Sequence, residues 1–436
     1  MFIPEIEKKS TEDIKRFQEV KLQETLLYLK EHSKYYQRLF NTHSINLEKI
    51  TSLESLEQIP VTTKDDLQNY NDDFLCVETK KIIDYVTTSG TMGDPVTFVM
   101  TDNDLERLAY NEYISFSCAD TTEDDIFQLL VTLDKRFMAG MAYFLGLRKL
   151  GAGIIRTGPG LQKLQFESIK RFNPTGFVTV PSFIPKLISH ARDNNIDYKN
   201  ASIKKAVCIG EPIRNPDFTL NPLGKKIVDN WGIKLYSTYA STEMGTAFTE
   251  CSAGKGGHHH PEMIIVEFLD ENNNPVKENE PGEVTITNLG VEGMPLLRFK
   301  TGDICYHHIE PCICGRNTMR LGPVIGRKQQ MIKLKGTTLY PPSIYDVLNE
   351  INCIENYIVE VSSNELGIDE LTIKVGCNKL TRNTEKEIKD NFRAKLRVAP
   401  ELQFFKPSEI TAIQIKDGDR KPIVFIDNRK SIIIIK

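Results

Sequence analysis

Between Lys81 and about Gly245, short apolar runs alternate with stretches of helical period. Segments 126–131, 152–155, 175–180 and 206–210 are nearly unbroken apolar runs, the pattern of strands buried on both faces. Segments 161–172 and 184–192 repeat their apolar residues every three or four positions, as helices packed on one side do. This alternation predicts an α/β domain built on a mostly parallel sheet with helices on its faces. Ahead of it, Leu22, Leu26, Leu29, Tyr36 and Phe40 recur at helical spacing and predict one N-terminal amphipathic helix. Ser10 and Asp13 open that helix much as a capping box does. After about Pro261 the texture changes. Segments 263–269 and 283–289 alternate like antiparallel strands joined by the polar turn 270–275. A third region starts near Gly326, with a strand-rich stretch to Leu339, a short helix after Pro342, two further strands, a helix over 384–396 and a final hairpin. The expected division is a large α/β domain over 1–326 and a small α+β domain over 327–436.

The chain has 436 residues, more than one ordinary core holds. Its net charge of −4 argues against a dedicated nucleic-acid binder. Residues 327–436 hold 19 basic and 15 acidic side chains, a net of +4 that leaves −8 on the remainder. No apolar N-terminal segment and no run of about 18 apolar residues is present, so a cytoplasmic protein without a membrane partner is expected. Nine cysteines in this length do not make a disulfide scaffold.

The candidate chemistry starts at Ser89-Gly90-Thr91-Met92-Gly93-Asp94-Pro95, preceded by Thr87 and Thr88. Glycines permit a tight loop whose N–H groups point at one anion, and small hydroxyls add donors without bulk. The spacing is not that of the usual P-loop. Four more segments follow in order: Tyr239-Ala240-Ser241-Thr242-Glu243, then 299–303 ending at Asp303, then 326–333 opening with Gly326-Arg327, then 419–429 containing Lys421. With these five segments, the early 60–67 stretch and the Gly210-Glu211-Pro212 turn, the chain resembles the phenylacetate–coenzyme A ligase family of adenylate-forming enzymes over nearly its whole length.

The resemblance implies an N-terminal AMP-binding domain, a mobile C-terminal lid, and an active site between them. Such an enzyme joins a small carboxylic acid to ATP, releases pyrophosphate, and then transfers the acyl group, usually to coenzyme A. Its task is positioning and charge neutralisation. By resemblance, Ser89, Gly90, Thr91 and Gly93 would wrap the β- and γ-phosphates, and Thr242 would touch the α-phosphate. Glu243 would help hold Mg²⁺, which suits carboxylate and phosphate oxygens. Tyr239, with Ala240 and Ser241 in the same motif, and the Gly210-Glu211-Pro212 turn would line the adenine pocket. Asp303 would accept the ribose hydroxyls, Arg327 would lie at the ribose or phosphate edge, and Lys421 would be the adenylation lysine. A homodimer is the family-level expectation. Transfer to an amine or a carrier-protein thiol is the alternative second step, and a non-catalytic nucleotide-binding homologue is the third reading.

Cys251-x6-His258 and Cys312-x-Cys314-Gly315 together supply three thiolates and an imidazole, a closed set suited to structural Zn²⁺. His259, His260, Cys305, His307 and His308 are competing ligands, and the other five cysteines read as core fillers. Some positions depart from the family pattern: Met92, Asp94, Lys300, Gln329-Gln330, Arg420 and Val424. The apolar segment 137–143 is the expected border of an acyl pocket for an aromatic or other hydrophobic acid.

Overall fold

The computed structural model describes residues 2–88, 96–334, 337–364, 368–378, 383–415 and 422–429. It divides into two compact units, residues 1–220 with 224–324, and residues 325–436 with the short stretch 221–223.

In the first unit the expected single N-terminal helix is two. Helix α1 (Thr11–His32) starts at Ser10, whose hydroxyl accepts from the Asp13 N–H, and buries Leu22, Leu26 and Leu29. Ser33 then adopts extended backbone and caps α2 (Lys34–Thr42) by accepting from the Tyr36 N–H. Serine favours such a cap over a helix interior, which explains a break that hydrophobic spacing alone does not register. A full capping box of Thr63 and Asp66 opens the short α3 (Lys64–Asn69). The hairpin β1 (Asp84–Thr87) and β2 (Thr97–Met100) flanks the segment 89–95 and leads into α4 (Asp102–Cys118).

The predicted strands and helices then follow in turn: β3 (Ile126–Leu129), α5 (Met138–Leu150), β4 (Gly153–Arg156), α6 (Gln162–Phe172), β5 (Gly176–Thr179), α7 (Phe183–Asp193), β6 (Lys205–Ile209), α8 (Pro222–Trp231), β7 (Lys234–Ser241) and β8 (Thr246–Thr249). They build a six-stranded sheet in the order β4-β3-β5-β6-β7-β8. All its pairings are parallel except β7 with β8. Phe127, Leu129, Val178, Val207 and Tyr236 form a core with Phe116, Tyr143 and Leu147. Such continuous burial is why these strands read as unbroken apolar runs.

Beyond β9 (Gly257–His258), β10 (Ile264–Leu269) and β11 (Gly282–Asn288) pair antiparallel as the alternation predicts, and β12 (Phe299–Cys305) joins β11. The short β13 (His307–His308) and β14 (Arg320–Leu321) form a small sheet with β9 in the order β13-β14-β9.

The second unit runs through β15 (Gly326–Arg327), the hairpin β16 (Ile332–Leu334) and β17 (Thr337–Leu339), and α9 (Pro341–Glu350). Then come β18 (Asn356–Ser363), β19 (Asp369–Gly376), α10 (Thr384–Leu396), β20 (Glu401–Phe405), α11 (Pro407–Gln414) and β21 (Phe425–Asp427). Its sheet has the order β20-β19-β18-β21, over a core that includes Ile344, Val347, Val361, Ile373, Ile388 and Phe392. Among the described residues the expected final hairpin is not formed, and β20 and β21 lie at opposite edges of the sheet. β21 pairs in parallel with β18, because the intervening α11 carries the chain back across the sheet. Among the described residues no helix is long and apolar enough to cross a membrane.

Candidate active site

In open α/β sheets, ligands bind beyond the C-terminal ends of the strands. Here β5, β6 and β7 end side by side, and the motif residues lie where they end. β6 stops at Ile209, and Gly210 turns the chain at φ +75°, a conformation that glycine adopts without strain. Glu211 then accepts from both the Ser182 N–H (3.0 Å) and the Ser182 hydroxyl (2.9 Å). Ser182 directly precedes α7, so the carboxylate ties the turns after β5 and β6 together.

Ile209 pairs with Thr238, which puts the Gly210-Glu211-Pro212 turn beside the end of β7, where Tyr239, Ala240 and Ser241 lie. The Tyr239 hydroxyl donates to Asp303 Oδ2 at 2.9 Å, and Asp303, on β12, is buried. Burial, and then the Asp303 carboxylate, push the Tyr239 phenol well above its ordinary range, so it remains a neutral donor. Next comes a tight turn. Gly245 N–H donates back to the Ser241 and Thr242 carbonyls and the Ser241 hydroxyl accepts from Met244 N–H, which leaves Thr242 and Glu243 half-buried in the turn.

Arg107 of α4 holds this turn from behind. Its guanidinium donates to the carbonyls of Gly245 (2.8 Å), Leu289 (2.9 Å) and Met263. Desolvation lowers its pKa to about 10, which still leaves it charged at neutral pH. Asn288 adds a hydrogen bond to the Met244 carbonyl at 2.8 Å. Between these groups runs a narrow cleft bordered by Phe98, Met100, Met138, Met244, Met294 and Glu243. Its volume is about 30 Å³, room for one or two waters and not for an aromatic ring. Within the apolar segment 137–143, Met138 faces this cleft and Tyr143 belongs to the sheet core.

Ser89, Gly90, Thr91 and Gly93 lie outside the described residues, as does Lys421. The base of the 89–95 segment is described: Thr88 N–H donates to the Val96 carbonyl (3.0 Å), and Val96 N–H donates to the Thr88 hydroxyl (3.1 Å). Arg327 is exposed on β15 in the second unit. In that unit Arg429 is paired with Asp427 and Asp369, and it donates to the Gln329 and Met331 carbonyls.

A second constellation lies after β8. Ligand atoms of Cys251, His258, Cys312 and Cys314 all fall within 4.8 Å of one another. The Cys251 and Cys312 sulfurs are 3.6 Å apart, and Cys314 Sγ is 3.5 Å from His258 Nε2. A tetrahedral zinc with its usual bond lengths needs S···S edges of about 3.8 Å and S···N edges of about 3.5 Å. The donor set therefore fits a closed structural site in chemistry and in size. The competing ligands are engaged elsewhere: His259 with the Ile264 carbonyl, His260 with Glu7, and His307 and His308 against Phe268 and Phe218. Cys305 is buried away from the cluster, and of the other five cysteines only Cys353 is less than fully buried.

Sequence reasoning did not find what holds this cluster. Glu7, from a 3₁₀ turn over Glu5–Lys8, is fully buried and receives Arg316 Nε at 2.6 Å and His260 Nδ1 at 2.5 Å. Arg316 also donates to Cys314 Sγ at 3.5 Å. Half-buried Arg214 and buried Glu250, equally unforeseen, form an ion pair beside Cys251. The one cue was position, since Glu250 and Arg316 directly flank the cysteine motifs.

A sequence profile of AMP-binding enzymes matches residues 43–292, more than half of the chain. The chain belongs to the AMP-binding enzyme family. A second profile, for the C-terminal domain of AMP-binding enzymes, matches residues 336–429. Among curated relatives, a phenylacetate-coenzyme A ligase of Thermus thermophilus is 27% identical over 380 residues, 86% of this chain and 84% of that protein. One from Escherichia coli is 26% identical over 85% of this chain and 84% of its own length. The fold is that of a 2-hydroxyisobutyryl-CoA ligase crystallised in the postadenylation state, with a TM-score of 0.85 at 21% identity over 99% of this chain and 94% of the other. Family and fold together make this chain an adenylate-forming enzyme, with a large α/β domain followed by a small α+β domain.

Proposed function

We propose that this AMP-binding enzyme is an ATP-dependent carboxylic acid–CoA ligase that activates an aromatic, phenylacetate-like acid. The observation that carries the nucleotide-site reading is the hydrogen bond from Tyr239 to buried Asp303, at the end of the strand that delivers Thr242 and Glu243. Asp303 accepts the ribose hydroxyls, and Tyr239 with the Gly210-Glu211-Pro212 turn walls the adenine. Glu243 holds Mg²⁺ and Thr242 meets the α-phosphate, while Ser89, Gly90, Thr91 and Gly93 surround the outer phosphates. Residues 327–436 act as the lid. Lys421 neutralises charge between the attacking carboxylate and the α-phosphate, and Arg327 supports the nucleotide edge. An aromatic acid is supported by the apolar 137–143 segment and by phenylacetate-coenzyme A ligase relatives aligned over most of the chain. The cleft beside Glu243 lends that choice no support at its present size.

Cys251, His258, Cys312 and Cys314 hold a structural Zn²⁺ in this reading, supported by the match of the 3.6 Å and 3.5 Å separations to a tetrahedral edge. The ion would brace the segment after Glu243 against the segment after Asp303, and no chemical step uses it.

Pyrophosphate release from MgATP, measured across aryl, hydroxy and fatty acids with and without CoA, tests the reading. Release that depends on one acid, needs CoA for multiple turnovers and falls about 10²–10³-fold in Lys421→Ala is expected. Turnover with an amine or a carrier-protein thiol in place of CoA would reassign the second step. No release with any acid, together with no ATP binding, would overturn the assignment.

A further inference from the structure

The turn after β6 and the loop that carries Cys251 and His258 are joined by an ion pair between half-buried Arg214 and buried Glu250. Arg214 donates to Glu250 through two nitrogens, Nε to Oε2 at 2.7 Å and Nη2 to Oε1 at 2.9 Å. The Glu250 side chain is fully buried and also accepts from the Ser237 N–H on β7 at 2.9 Å. The third arm of Arg214 donates to the Phe218 carbonyl at 3.0 Å, which closes the loop between Arg214 and Leu220. The guanidinium also lies flush against Gly254, where a Cβ would meet Nη2 at 2.5 Å. Phe218 adds a second contact: a Cβ on Gly256 would come within 3.2 Å of its ring. Two glycines of the 251–257 loop thus let that loop close on the segment that begins with Gly210-Glu211-Pro212.

We infer that the Arg214–Glu250 pair fixes the Gly210-Glu211-Pro212 turn by reference to the Cys251–His258 loop, so that ATP affinity depends on the four-ligand cluster. The inference rests on the reading of that turn as an adenine wall. Arg214 lies two residues beyond Pro212, and Glu250 is bonded to Cys251. A planar guanidinium paired through two nitrogens transmits orientation, which a lysine does not. When the ligand loop relaxes, the Glu250 carboxylate shifts, the fork follows it, and the turn keeps only its tie to Ser182 through Glu211. Arg214 and Glu250 touch neither nucleotide nor acid in this account and are positioning residues.

The test uses the full chain and reads MgATP binding by calorimetry, zinc content by elemental analysis, and folding by Trp231 fluorescence. The double variant Arg214→Met/Glu250→Leu removes the pair without leaving a lone buried charge. It is expected to bind MgATP about tenfold more weakly while retaining its zinc. Chelation is expected to weaken ATP binding in the wild type by a similar factor, and by less than about twofold in the double variant. Should the double variant fail to fold, Arg214→Lys keeps the charge, loses the fork and is expected to weaken binding about threefold. Unchanged ATP affinity in the folded variant, or an equal effect of chelation in both proteins, would overturn the coupling. Asp303→Ala separates the two levels. ATP binding lost there but unchanged in the pair variant sinks the coupling alone, and ATP binding retained in Asp303→Ala sinks the nucleotide-site reading beneath it.

Discussion

Glu112 sits on α4 with its side chain buried and Oε2 without a hydrogen-bond partner. Gly146 of α5 lies directly against it, where a Cβ would meet the Glu112 Cβ at 2.3 Å. Desolvation raises its pKa from 4.5 to about 8, with a hydrogen bond from Ser115 acting weakly the other way. Below pH 4.5 the carboxyl is protonated in folded and unfolded chains alike. As pH rises towards 8 the unfolded chain ionises first, so this group contributes stability at low pH that is lost as pH climbs through its folded value. A shift of that size corresponds to about 5 kcal/mol in full and about 3 kcal/mol between pH 5 and pH 8. Glu112→Gln keeps the shape and removes the titration. The assay is urea unfolding at pH 5, 6, 7 and 8, followed by the chain's single tryptophan, Trp231, which is buried on α8. The stability of the variant relative to wild type should grow by about 3 kcal/mol across that range. Any fixed cost of the amide cancels in this comparison. A difference that stays constant with pH would refute the desolvated-carboxyl argument.

Arg298 is buried and paired with Glu267 through two nitrogens at 3.0 and 2.8 Å. Arg298→Met should cost about 3–5 kcal/mol in urea unfolding, and adding Glu267→Leu should recover most of it. Gly140→Ala puts a methyl 2.0 Å from the Thr132 carbonyl oxygen, and its thermal melt should show a loss of at least about 2 kcal/mol. Tyr239→Phe deprives Asp303 of a donor at 2.9 Å, so the KM for ATP should rise about tenfold with the KM for the acid unchanged.

The sheet was legible because β3, β5 and β6 are buried along most of their length and its helices on one face, while the half-buried edge strand β4 still carries a short apolar run. Periodicity carried β3 to β6, α6 and α7 to within a residue or two. That Cys251, His258, Cys312 and Cys314 come together was legible because cysteines and a histidine at that spacing have few other uses. Ser33, which splits the first helix, is a local signal masked by the apolar spacing on either side of it. Glu7, Arg298 and Arg316 were invisible for another reason. A charged residue reads as surface until its partner is known, and the partner of Glu7 is 309 positions away. Arg107 escaped notice because it is held by backbone carbonyls, which sequence does not label.

That separation also sets a clock. During synthesis Arg316 follows Glu7 by 309 residues, roughly 15–60 s at ordinary elongation rates. Until then the Glu7 carboxylate lacks the guanidinium that it is buried against in the folded unit. Docking of the Glu5–Lys8 turn therefore comes late in the maturation of the first unit, and that turn serves as its closing clasp.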